Sequence, residues 1–79
     1  MMFDQVLQKK KDILVFKTSI QTKAEVRFLS GLLDSHDGIT EWSVDLEDWE
    51  KVLRIESSGI LPEEVSAILE NNQIKCRQL

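Results

Sequence analysis

The spacing of apolar residues along this 79-residue chain changes period four times, and those changes restrict the backbone more than any other feature. Ile13-Leu14-Val15-Phe16 is a β-branched and aromatic run that continues through Thr18 to Ile20. It is long enough for a strand and too short for a stable helix. From Thr22 the period lengthens, because Val26, Leu29, Leu32 and Leu33 recur at three and four residues and form one apolar stripe on a helix that Thr22 can cap. Ser35-His36-Asp37-Gly38 ends that helix, with Gly38 expected in the left-handed conformation of a terminating turn. Trp42, Val44 and Leu46 then alternate with Glu41, Ser43, Asp45 and Glu47, which describes a strand with one dry and one wet face. Trp42 is expected in the core.

Asp48-Trp49-Glu50 reads as a turn, and Val52 to Ile55 as a third strand close enough to the second for an antiparallel hairpin. Pro62 suits a first helical position, where its missing N–H would be unpaired anyway, and Glu63 and Glu64 complement the positive end of the helix dipole. The stripe of this second helix is Val65, Ile68 and Leu69, and Asn71-Asn72 is expected to supply a left-handed stop. Gln73 to Leu79 closes the chain as a fourth strand through Ile74, Cys76 and Leu79. The order βαββαβ predicts an α+β, ferredoxin-like sandwich: a four-stranded antiparallel sheet with two helices on one face. Its usual strand order, 4-1-3-2, would set Lys75 and Arg77 at one edge and Glu41, Asp45 and Glu47 at the other.

Size and charge narrow the function. A chain this short supports one core, and burying only about 60% of its unfolded surface leaves little room for a large catalytic cleft. With ten Lys and Arg against fourteen Asp and Glu the net charge is −4, which repels phosphate backbones, and Lys9 to Lys11 is too short a basic run to reverse that. Nucleic acid is therefore not expected as a partner. No apolar run reaches the roughly 18 to 20 residues of a membrane helix, so no membrane insertion is expected. The single cysteine, Cys76, admits no intrachain disulfide and agrees with a cytoplasmic setting. Residues 1–11 read as an N-terminal segment and 12–79 as the domain.

Local spacing narrows the fold further. Phe16-Lys17-Thr18-Ser19-Ile20-Gln21-Thr22-Lys23-Ala24-Glu25-Val26, then Leu29, Leu33, Gly38-Ile39 and Trp42-Ser43-Val44-Asp45-Leu46-Glu47, resembles the heavy-metal-associated domain of copper chaperones and metal-pump tails. In that family an apolar residue stands ahead of a Cys-x-x-Cys pair with one position between, and apolar residues follow four and eight places after the second Cys. Here those positions are Ile20, Leu29 and Leu33. Lys51 to Glu56 resembles the family's third strand, and Pro62 through Asn72 its second helix and the turn beyond. The two cysteine positions are occupied by Thr22 and Glu25, so the resemblance implies a member without the soft-metal thiolate pair. Cu(I) prefers sulfur, which neither a hydroxyl nor a carboxylate replaces.

The candidate residues follow from both lines. Thr22 and Glu25 have capping-box spacing, which accounts for both residue types; a modified metal site around them is the alternative, short of the roughly six oxygens that Mg or Ca needs. His36 is expected as a solvated turn residue, about 16 Å along the helix from Glu25. Cys76 is expected to be buried and inert. Trp49 at a hairpin tip is either an anchor for a partner or a ring folded over the hairpin edge. If Phe16, Thr18 and Ile20 face the helices, Ile13, Val15 and Lys17 face away, beside Val52 and Arg54. That apolar strip calls for a protein partner, a homodimer, or coverage by Met1 to Gln8. Gln21 and Lys23 in the first loop complete the candidate contact surface. The expected function is a non-enzymatic protein-interaction or regulatory module that needs no cofactor.

Overall fold

The computed structural model describes residues 12–79. The reading of 1–11 as a separate segment, and of Met1 to Gln8 as a cover for the sheet, lies outside the described residues. The elements are β1 (Asp12–Thr18), α1 (Lys23–Leu33), β2 (Ile39–Asp45), β3 (Val52–Ser57), α2 (Pro62–Asn71) and β4 (Cys76–Gln78). They form an α+β fold in which one antiparallel sheet, ordered β2-β3-β1-β4, is combined with two helices, an arrangement compatible with the ferredoxin-like fold.

Strand alternation builds the core. Leu14, Phe16 and Thr18 of β1 and Leu53, Ile55 and Ser57 of β3 are buried, whereas the residues between them are not. Leu29 and Leu33 from α1 and Val65 and Leu69 from α2 join the same cluster, which Ile20, Ile60 and Ile74 complete. Each such side chain contributes roughly 1.5 to 3 kcal/mol by leaving water.

β1 stops at Thr18, two residues before the expected end at Ile20. The Thr18 hydroxyl accepts from the Ile20 N–H at 3.2 Å, and the Ser19 N–H turns to the Lys75 carbonyl at 3.0 Å, so the backbone leaves the ladder although Ile20 stays buried. Thr22 then caps α1, its Oγ1 accepting from the Glu25 N–H at 3.2 Å.

Four local expectations are corrected. Gly38 does not have a positive φ; among the described residues Gly59 is the glycine that does. Gly38 is needed for space instead, since an added Cβ would lie 2.8 Å from the Ile60 nitrogen and 3.0 Å from its Cβ. That close approach lets the Gly38 carbonyl accept from the Ser58 N–H at 2.8 Å and from the Ile60 N–H at 3.3 Å. His36 is half-buried, not simply solvated: its Nδ1 accepts from the Gly38 N–H at 3.0 Å. Trp42 is half-buried because β2 is an edge strand with no neighbour on one side, and its Nε1–H donates to Asp34 Oδ1 at 2.7 Å. Cys76 is also half-buried, packed against the core from the opposite edge strand.

The end of α2 differs from expectation by one residue. Asn72 has φ −113°, and the left-handed position is Gln73, at φ 67°. The Ile74 N–H donates to the Leu69 carbonyl at 2.9 Å and the Gln73 N–H to the Glu70 carbonyl at 3.1 Å, the paired bonds of a Schellman motif. Asn72 contributes through its side chain, Nδ2–H donating to the Ile68 carbonyl at 2.8 Å. A side chain at a left-handed position costs about 1 to 2 kcal/mol, partly offset by the greater freedom of Gly in the unfolded chain. Gln73→Gly is therefore expected to stabilise the domain by about 0.5 to 1 kcal/mol, read as a higher urea midpoint at unchanged slope. A lower midpoint would show that the Gln73 side chain makes a stabilising contact.

Candidate functional site

The candidate site is the sheet face turned away from the core. Pairing register arranges its side chains in rows that cross the strands. In the first row, Glu41 of β2 stands opposite Glu56 of β3, which stands opposite Ile13 of β1. The second runs from Ser43 through Arg54 to Val15, and the Leu79 N–H extends it by donating to the Val15 carbonyl at 2.9 Å. In the third, Asp45 is opposite Val52, and Lys17, at the same level on β1, is opposite Arg77 of β4. Ile13 and Leu79 are 51% and 59% exposed, and Val15 and Val52 are half-buried. The strip predicted from β1 is thus present, and Leu79 widens it.

Charge is divided across this face. Asp45 and Glu41 lie on the β2 edge, while Lys17, Arg77 and the neighbouring Lys75 gather at the β4 edge, around a cleft of about 330 Å³ that also involves Ser19 and Cys76. Between the edges, Val15, Ser43, Asp45, Asp48, Val52 and Arg54 line a second depression of about 400 Å³. Lys17 and Arg77 are directly opposed like charges, an arrangement that destabilises a strand pair unless something else neutralises it.

The β2–β3 loop sets the position of Trp49. Asp45 Oδ1 accepts from the Glu47 N–H at 3.0 Å and Asp48 Oδ1 from the Glu50 N–H at 2.8 Å, which tightens the turn. Lys51 sits at φ 47°, held by its N–H to the Asp48 carbonyl at 2.9 Å and its Nζ to the Leu46 carbonyl at 2.7 Å. Thr18 anchors the loop to β1, its N–H donating to the Glu50 carbonyl at 3.2 Å and its hydroxyl to the Lys51 carbonyl at 2.6 Å. Trp49 remains 80% exposed, so its ring is not folded down onto the hairpin. Lys17 Nζ lies 5.3 Å from the ring centroid and 4.0 Å from Glu50 Oε2, so one cation links the aromatic to the basic edge.

The first loop has a different role. Glu25 Oε1 accepts from the Gln21 N–H at 2.6 Å and the Thr22 N–H at 3.1 Å, so the pair forms a closed capping box. Thr22, Gln21 and Lys23 are exposed on that loop and helix start, outside the strand rows of the sheet face. Ser19 Oγ accepts from the Lys75 N–H at 3.0 Å and ties the loop to the approach to β4. Burial pushes the Cys76 thiol above its ordinary range; a hydrogen bond with Ser66 partly opposes this, and the Glu70 charge adds to it. A raised thiol is a poor nucleophile and a poor soft-metal ligand at neutral pH. Among the described residues, no group of three or more His, Cys, Asp and Glu could hold a metal ion, and no helix is long and apolar enough to cross a membrane.

Sequence reasoning set Lys17 and Arg54 on this face and Asp45 and Arg77 at its opposite edges, but did not join Asp45, Val52, Lys17 and Arg77 into one row. Alternation tells which face a residue takes, but only the register between strands tells which charges meet. Comparison with protein-family models, curated proteins and solved structures gives no match to this chain.

Proposed function

We propose that this chain is a non-enzymatic, heavy-metal-associated-like module of the ferredoxin-like type, with both helices on the core side of the sheet and without the soft-metal thiolate pair. It acts through protein contacts made by the outer sheet face. The observation that carries this reading is that face itself, where Ile13, Val15, Leu79 and Trp49 offer apolar surface between edges of opposite charge. The capping box supports the metal-deficient part, because Thr22 and Glu25, the positions that the resemblance gives to the family's thiolates, are committed to capping a helix. Partner surfaces commonly centre on such aromatic and apolar anchors. The reading is tested by loading the full chain with Cu(I) and competing with a strong chelator. The protein should surrender the metal, since one raised thiol cannot replace two thiolates. Stoichiometric Cu(I) retained by the monomer would overturn the proposal.

A further inference from the structure

We infer that the partner for the outer sheet face is a second copy of this chain, turned over about a two-fold axis that runs along the strands between β1 and β3. The inference rests on the reading of this face as the contact surface and names its occupant. The third cross-strand row reads carboxylate, apolar, cation, cation from Asp45 through Val52 and Lys17 to Arg77. Reversed over itself, that row sets Asp45 of each copy against Arg77 of the other and Val52 against the stem of Lys17. The second row, reversed the same way, lays the Arg54 stem over Val15 and Ser43 over Leu79. No like charges stand directly opposite each other in either row, and Arg77 of each copy, which faces Lys17 within its own sheet, gains a carboxylate from its mate. An isologous contact requires a patch that complements itself, and an acidic edge facing a basic edge across an apolar strip meets that condition.

The full chain, examined by sedimentation equilibrium over a range of concentrations, should form a dimer that does not grow further. Val15→Lys should give a monomer with an unchanged circular dichroism spectrum, because a charge unpaired in the contact is costly and a solvated one is not. Asp45→Lys alone and Arg77→Asp alone should each weaken the dimer about tenfold or more, by bringing like charges together. The double variant Asp45→Lys with Arg77→Asp should recover most of the loss, since the swapped charges again meet across the two-fold. Two failures are distinguishable. A wild-type chain that stays monomeric overturns self-pairing alone and leaves the face to another protein, or to residues 1–8 if their removal brings on association. A dimer indifferent to Val15→Lys and to both charge reversals is made through another surface and overturns the pairing proposed for this face.

Discussion

Phe16→Ala is expected to cost about 3 to 5 kcal/mol, the range for truncating a fully buried aromatic and leaving a cavity. Phe16 is 0% exposed and is paired with Leu53 on one side and Gln78 on the other, so the strand that carries it is held in place when its side chain is removed. At about 0.05 to 0.15 kcal/mol per residue, a domain of this length has only on the order of 4 to 12 kcal/mol in total, so the variant stands near its unfolding threshold at room temperature. Urea unfolding followed by circular dichroism reads the effect, with Trp49→Ala as the comparison. The exposed indole should cost under about 1 kcal/mol, mainly its contact with Lys17. Similar losses from the two substitutions would contradict the assignment of core and surface.

Thr22→Cys combined with Glu25→Cys should turn a chain that surrenders Cu(I) into one that retains it against a chelator. Two thiolates three residues apart at the start of α1 supply the soft ligands that the hydroxyl and carboxylate do not. The same change removes the capping box, so the metal-free variant should be about 1 to 2 kcal/mol less stable than wild type. Metal should restore that loss, because binding to the folded state alone adds to its stability. The register is checked by Ser19→Cys with Thr22→Cys, which should not retain Cu(I). Success there and failure at 22 and 25 would show that the resemblance aligns the loop differently.

Much of the architecture was legible because it depends on local rules. The alternation of Trp42, Val44 and Leu46 fixed the inward face of β2, and Thr22 with Glu25 described a capping box down to the reciprocal bonds. Much of what escaped was set by contacts distant in sequence. Thr18 ends β1 early and holds the Lys51 carbonyl thirty-three residues away, which no periodicity encodes. Gly38 serves a close approach to Ile60, not a left-handed turn, and the left-handed residue after α2 is a glutamine one place beyond the asparagines. Trp42 was read as core because its alternation was correct, but alternation does not reveal that β2 lies at an edge. For the candidate site, Ile13, Val15 and Trp49 were visible as a surface and the charged edges followed from the usual strand order, whereas the opposition of Lys17 and Arg77 within one row required the strand register.

The central place of β1 bears on solubility. Ile13-Leu14-Val15-Phe16 is an uninterrupted apolar, β-prone, uncharged run, the composition that drives stacking into fibrils when it is left bare. In the native sheet β3 pairs with β1 from Asp12 to Phe16, while β4 covers its other side only from Phe16 to Thr18, with the Leu79 N–H reaching the Val15 carbonyl. The strands left at the rims offer poor templates for an incoming chain. β2 carries Glu41 and Asp45 and is bulged between Ile39 and Glu41, while β4 offers three residues next to Lys75. The native sheet thus engages only part of the Ile13 to Phe16 run on both sides, and unfolding bares all of it, so precipitation should follow unfolding. Loss of solubility on heating then reports the opening of β1.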